Sequence, residues 1–565
     1  LLAIAGRSVA APFPAVINLA DLDGSDGFRM YGIANDDECG FSVAGAGDLN
    51  GDGYDDAVIG ARYANRDYMT NNSGEAYIVF GGPAVGAPGT MFLASLDGSN
   101  GFIFRGRDFN DMAGWAVSSA GDVNHDGCDD VLIGARYAGA SVYDARGEVY
   151  ILFGASDIGA SGVIDVLDLD GTNGFIIRGA AYGDQAGYAV SKGNDINGDG
   201  HDDIVIGAYG VNDGAESNVG AVYVVFGGPG VGASGLLELS TLDGSNGFVI
   251  LGAADGDSAG WSAAGAGDIN NDSCADVIVG APFAGAAGEA CIIFGGSTVG
   301  ATGLVSLADL TPADGFRIPG AAGGDHCGRS VDRAGDVNGD GIDDILIGAP
   351  RGGDQFREDA GMTYIVFGGA AVGATGSFDL AALDGANGFA ILGALTGRNA
   401  GHCVRAAGDA NGDTHADIII GTSLWNSAYL VFGGPNAGAS GLVDLASLDG
   451  TNGSEIVGIT LGDHAGQAVG GAGDFNGDDI DDVLLGAPFA RMNFGDAFLV
   501  RGRLSTPACP GDINSDGATN AADFVILAGN FGASVTPNTS GDLNGDGLVN
   551  AADFVILAGN FGCAP

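Results

Sequence analysis

One acidic pattern, Asp-x-Asn-x-Asp, recurs at Asp48, Asp122, Asp195, Asp268, Asp336, Asp409 and Asp474, in steps of 74, 73, 73, 68, 73 and 65 residues. Repetition at such a period means one structural unit used many times, and it constrains the fold more tightly than any local propensity. Upstream of each pattern lies a turn of the type Asp-Gly-Ser-Asn-Gly-Phe, beginning at Asp23, Asp97, Asp170, Asp243, Thr311, Asp384 and Asp449. The offset from turn to pattern is 25 residues in all seven units. A constant offset beside slack elsewhere marks that stretch as one rigid piece.

Each unit carries four short strand signals bounded by Gly, Asn or Asp. In the second unit they are 101–106 (GFIFRG), 114–121 (GWAVSSAG), 129–135 (DDVLIGA) and 147–154 (GEVYILFG). Runs such as VLIG and YILF are apolar on both faces, as strands packed between neighbouring sheets must be. Four antiparallel strands repeated seven times predict an all-β fold, a seven-bladed β-propeller. Strand counting also predicts how the ring closes. The strand at 27–32 has no earlier blade and the strand at 495–502 has no following partner, so the two pair in the last blade.

The chain of 565 residues holds 72 acidic against 20 basic side chains, a formal charge of −52, and Lys192 is its one lysine. So acidic a surface repels phosphate and anionic lipid, which argues against nucleic-acid and membrane-surface partners. With 46% hydrophobic residues it can bury a core, and its 107 Gly and 15 Pro stay below the disordered range, which begins at roughly 25–30% Gly plus Pro. No apolar run approaches the roughly 18 residues of a membrane-spanning helix. Residues 1–6 are apolar and read as the stub of a cleaved secretion signal.

The repeated loops read as metal sites, with side-chain oxygens at positions 1, 3, 5 and 9 and the backbone carbonyl of position 7 turned inward. The first loop offers Asp48, Asn50, Asp52, Tyr54 and Asp56, and the second Asp122, Asn124, Asp126, Cys128 and Asp130. The third offers Asp195, Asn197, Asp199, His201 and Asp203, and the fourth Asp268, Asn270, Asp272, Cys274 and Asp276. The fifth offers Asp336, Asn338, Asp340, Ile342 and Asp344, and the sixth Asp409, Asn411, Asp413, His415 and Asp417. The seventh offers Asp474, Asn476, Asp478, Ile480 and Asp482. All donors are hard oxygens, which suits Ca²⁺ rather than zinc or copper. Loops four, six and seven carry Ser273, Thr414 and Asp479 at position 6, where the others have Gly. Loops four and six also have Ala275 and Ala416 at position 8 in place of Asp, so these three sites are expected to be weaker or distorted.

The segments GWAVSSAGDVNHDGCDDVLIGA, GRSVDRAGDVNGDGIDDILIGAP and GQAVGGAGDFNGDDIDDVLLGAP resemble the FG-GAP repeats of integrin α-subunit propellers and their bacterial relatives, over about residues 27–503. The resemblance implies a seven-bladed propeller with calcium in the loops between the first and second strands of each blade. It does not import integrin function, since no β-subunit or inserted domain is visible.

Beyond a linker at 504–510 the pattern changes. Two twelve-position loops follow, thirty residues apart, with oxygens at positions 1, 3, 5, 7, 9 and 12 in the EF-hand manner. The first comprises Asp512, Asn514, Asp516, Ala518, Asn520 and Asp523, and the second Asp542, Asn544, Asp546, Leu548, Asn550 and Asp553. Each runs into AADFVILAGNFG, a short helix stopped by Gly. The pair resembles a type I dockerin domain, which implies docking to a cohesin module. Positions 10 and 11, which contribute to partner choice in that family and often carry hydroxyls, are here Ala521, Ala522, Ala551 and Ala552. A calcium-stiffened cap on the chain's own propeller is the plainer reading. Cys509 and Cys563 bracket the module and are expected to staple its ends. The organisation is thus a lead segment (1–26), propeller (27–503), linker (504–510) and dockerin-like module (511–565), with about nine calcium sites.

Strand direction puts the metal loops at one end of every blade and the variable connections at the other. Those connections span 63–74, 137–147, 209–220, 283–288, 351–361, 422–427 and 489–495, and they carry Tyr63, Tyr68, Tyr137, Tyr143, Tyr209, Phe356 and Trp425. Aromatic and Arg side chains are enriched where proteins recognise partners. Catalysis finds little support: His201 and His415 sit at loop position 7, and Asp325-His326-Cys327 is contiguous, so its side chains diverge. The sequence reads as a secreted, non-catalytic recognition or adhesion protein that binds a protein or glycan on the variable face. The alternatives are a self-associating structural subunit of a filament, surface layer or matrix, joined through its tail or blade edges, and a hydrolase.

Overall fold

The computed structural model describes residues 13–65, 72–139, 144–214, 217–423, 425–504, 513, 519–533, 548–559 and 561. Outside them lie the apolar start at 1–6, Tyr68, Tyr143, Cys509 and Cys563, and the tail positions Asp512, Asn514, Asp516, Ala518, Asp542, Asn544 and Asp546.

Seven sheets form the blades. In the second, Ala116–Gly121, Asp130–Ala135, Glu148–Leu152 and Gly174–Arg178 run antiparallel in that order. The second and third strands are buried along their whole length, because the blades on either side cover both faces. Between the first two blades, Val58, Ile78, Phe102 and Phe104 pack with Val131, Ile133 and Tyr150 in one cluster. Each such side chain contributes about 1.5–3 kcal/mol by leaving water.

The predicted clasp forms. Gly27–Tyr31 pairs antiparallel with Asp496–Val500, so the last blade takes strands from both ends of the repeat region. The closing core, with Phe28, Met30, Leu484 and Leu499 against Val43, Ile59 and Tyr77, is built like the others. Close backbone approach explains one repeated glycine: a Cβ on Gly60 would lie 2.2 Å from the carbonyl oxygen of Gly114. The equivalent Gly486 meets Gly40 at 1.9 Å, which closes the ring.

Four strands per blade was an undercount. Six sheets have a fifth, outermost strand running parallel to the fourth, such as Val163–Asp165 beside Gly101–Arg105. This strand lies in the connection between the third and fourth strands of the next unit, so each unit laces its predecessor. The segment set apart as a lead does the same: Val16–Asn18 pairs with Glu455–Val457 of the sixth blade.

The C-terminal residues form two helices, Ala521–Asn530 and Ala551–Gly559. Asn520 caps the first by accepting from the Ala522 N–H at 2.8 Å, while Asp523 accepts from the Asn520 N–H at 2.8 Å. Asn550 and Asp553 repeat both bonds, at 2.8 and 2.7 Å. Leu527, Val549 and Leu557 make a small core. No helix among the described residues is long and apolar enough to cross a membrane.

Candidate functional site

Each propeller loop coils around its first aspartate. Asp48 accepts from the N–H groups of Asp52 and Gly53 at 3.0 and 2.8 Å. Asp122, Asp195, Asp268, Asp336 and Asp474 take the same two bonds in their own loops at 2.8–3.0 Å. The position 5 carboxylate then accepts from the N–H of position 7, as Asp126 does from Cys128 at 3.0 Å. The position 7 side chains Tyr54, Cys274 and His415 rest over the glycines Gly477, Gly198 and Gly339 of the preceding loop, and His201 meets the His125 ring edge to face at 4.8 Å. In loop seven, Asn476 donates to Asp482 at 3.1 Å.

Loops four, six and seven keep the backbone turn of the others. Ser273, Thr414 and Asp479 hold φ of +76°, +76° and +65°, and each donates to the first aspartate of its loop at 2.8 Å. The turn survives without glycine, at the strain a side chain bears in that region.

Position 9 is the best-held carboxylate. Asp130 is fully buried, with one oxygen accepting from Val123 N–H at 3.0 Å and the other from Gly154 N–H at 2.9 Å. Asp56, Asp203, Asp276 and Asp344 make the same pair of bonds. Asp417 and Asp482 each accept from the corresponding glycine, Gly433 and Gly502, at 2.8 Å. Burial lifts Asp56, Asp130, Asp276 and Asp482 to about 8 and Asp203 and Asp344 to about 7, with nearby loop carboxylates adding to it.

The loop residues fit a hard divalent cation. The side-chain oxygens of Asn50, Asn124 and Asn270 are buried and accept no hydrogen bond, an arrangement that a bound cation would satisfy. Among the described residues no three acidic, His or Cys side chains converge closely enough to hold a metal by themselves. A cation here would draw on Asn and backbone oxygens as well as carboxylates.

At the opposite end of the blades the inner strands open into a cavity of about 180 Å³. One position supplies much of its wall: Phe41, Trp115, Tyr188, Trp261, Arg329, His402 and Gln467, the residue after the glycine that leads into each inner strand. The rings are continuous, with Phe41–Trp115 at 4.9 Å, Trp115–Tyr188 at 5.6 Å and Tyr188–Trp261 at 4.9 Å. Guanidinium groups lie over them: Arg62 is 3.5 Å from the Phe41 ring, Arg136 3.6 Å from Trp115 and Arg329 5.0 Å from Trp261. In the sequence this set shows only as one variable position inside a constant frame. Of the aromatics on the variable connections, Phe356 and Trp425 are exposed, while Tyr63, Tyr137 and Tyr209 are half-buried.

Comparison with known proteins agrees with this architecture. Residues 40–79, 113–152, 186–225, 259–302 and 328–366 match the FG-GAP repeat, and residues 510–561 match the dockerin type I domain. Integrin alpha-PS5 of Drosophila melanogaster is 30% identical over 273 residues, 47% of this chain and 25% of the relative. Phosphatidylinositol-glycan-specific phospholipase D of Homo sapiens is 34% identical over 176 residues, 31% of this chain and 19% of that enzyme. The chain thus spans a quarter or less of these relatives' length. Among solved structures, a type II cohesin-dockerin domain from Bacteroides cellolosolvens is 45% identical, covering 10% of this chain and 87% of that one at a TM-score of 0.09.

Proposed function

We propose, for a chain whose repeats are FG-GAP blades and whose C-terminus is a dockerin type I domain, that it is an extracellular, calcium-binding, non-catalytic recognition protein. Calcium in the seven loops and the two tail loops braces the fold, the face opposite the propeller loops binds a protein or glycan, and the tail docks to a cohesin-type partner. The observation that carries the reading is the aromatic and guanidinium mouth at the variable end, together with Phe356 and Trp425 exposed on connections of that end. Against catalysis stands Cys327, buried with its thiol pushed up to about 12 by burial, next to a His326 whose ring lies against Phe283 at 5.4 Å. The test is capture by the full chain on glycan and extracellular-protein arrays at millimolar calcium, wild type against the double variant Phe356→Ala, Trp425→Ala. Specific capture lost in the variant is expected; no capture, or capture that ignores both substitutions, overturns it.

A second reading, assembly into a layer or filament through the tail, draws on the duplicated exposed residues Phe524, Val525, Phe554 and Val555. Growth of scattering with concentration in calcium, reversed by chelator, favours it.

A further inference from the structure

We infer that the axial mouth opposite the metal loops receives a single carboxylate, the side chain of an Asp or Glu on a loop of a partner protein. The inference rests on the reading of that face as the recognition surface and names what it recognises. Its ground is an imbalance of charge inside an otherwise acidic molecule. Among the described residues, the guanidinium groups of Arg136 and Arg329 meet no carboxylate within ion-pair distance. Arg136 donates to the Tyr137 hydroxyl at 2.6 Å, yet its Nε is buried without an acceptor. Arg329 has the Trp261 ring as its neighbour at 5.0 Å and no hydrogen bond from its side chain. The indole N–H of Trp261 is likewise buried and unpartnered.

The nearby acids are already engaged. Glu38 holds Arg62 at 2.7 Å, and Asp332 lies 3.9 Å from Arg405. His402 adds a neutral imidazole, since burial and then Arg329 push it down to about 3. The aromatic faces are covered by the chain's own guanidinium groups, so a cationic ligand finds them occupied. What the mouth offers is donors: the Arg329 guanidinium in its wall and that of Arg136 over the Trp115 ring, both held by stacking and therefore ordered in advance. A carboxylate accepts from such a set with charge-assisted bonds. A sugar, whose hydroxyls need acceptors as well as donors, is served less well.

Size and net charge narrow the ligand further. The cavity of about 180 Å³ is smaller than the roughly 300–1,000 Å³ that a drug-sized ligand fills, so it takes one side chain. The formal charge of −52 repels a polyanion at long range, which selects an isolated acid among apolar neighbours over an acidic polymer.

The probe is a blocked tripeptide, N-acetyl-Phe-Glu-Phe-amide, with its Gln counterpart and free glucuronate as comparisons. It is titrated into the full chain at millimolar calcium, with indole fluorescence read in a Trp425→Phe background so that only Trp115 and Trp261 report. At least a tenfold preference for the Glu peptide over the Gln peptide is expected, with comparable loss on Arg329→Gln and on Arg136→Gln. Thermal melting of each variant checks that it is folded, and two sites of substitution guard against one that is not. Equal affinity for the Glu and Gln peptides, unchanged binding in both folded variants, or tighter binding of glucuronate overturns the inference. Failure here with array capture still lost in the Phe356/Trp425 variant removes the carboxylate and leaves the recognition surface standing.

Discussion

At loop position 8, Asp55, Asp129, Asp202, Asp343 and Asp481 turn away from their own loop. Each accepts the backbone N–H of the first aspartate in the preceding blade, at 2.7–3.1 Å. The carboxylate beside the buried position 9 residue is therefore a pin between blades, and in Ala275 and Ala416 the pin is missing rather than a ligand. Losing this half-buried acceptor strands the N–H it served, so Asp129→Ala should lower stability by about 1 kcal/mol. Asp129→Asn, which keeps an acceptor oxygen, should recover most of that. Denaturant unfolding at fixed millimolar calcium measures both, and calcium titration should find no fall in affinity for either variant. A fall in affinity with unchanged stability would return position 8 to the metal.

The strand Gly27–Tyr31 joins the two ends of the repeat region, and an ion cluster ties it to its partner strand. Asp496 on the partner strand is fully buried and held by Arg29, whose Nε donates at 2.9 Å, and by Arg491, whose Nη2 reaches it at 2.5 Å. Both guanidinium groups also lie over the Tyr31 ring, at 4.7 and 4.8 Å. Asp496→Ala leaves two confined cations without a counter-charge, a change that costs about 3–5 kcal/mol in comparable buried pairs. Limited proteolysis should then clip the N-terminal strand first, and an unchanged melting temperature with protection intact would place the closure elsewhere. The clasp was legible because counting strand signals leaves one unpaired at each end. The parallel fifth strands were not legible: Val163–Asp165 is three residues long and pairs into the previous unit, so neither its length nor its pattern marks it. Asp129 and Asp130 look alike in sequence, and only burial separates the pin from the position 9 carboxylate. The mouth residues escaped because Phe41, Trp115, Tyr188 and Arg329 share a position but no chemistry until the ring closes and sets them side by side.

For the propeller as a whole, the opposing quantities are the packing between blades and the mutual repulsion of its acids. The seven loops place twenty-seven aspartates at one end of the blades, within a chain whose formal charge is −52. Packing alone does not neutralise them, whereas a divalent cation in each loop would remove two charges and give a partner to the Asn oxygens that receive no hydrogen bond. Ligand linkage gives the size of the effect: at calcium about ten times a dissociation constant, each site adds about 1.4 kcal/mol. Seven independent sites of the extracellular millimolar class would then add about 10 kcal/mol, comparable with the whole stability of an ordinary domain. Unfolding entropy scales with chain length, so for a propeller of this size the same sum corresponds to a shift of about 10 °C. Melting the full chain in EDTA should therefore give a transition lower by about that amount than in calcium. The shift should grow with the logarithm of calcium concentration and be reproduced poorly by magnesium, whose smaller shell suits these loops less. Light scattering in parallel should show expansion on chelation. Identical transitions and identical radii in EDTA and in calcium would mean that hydrogen bonds within each loop, and not a cation, hold the acidic turns together.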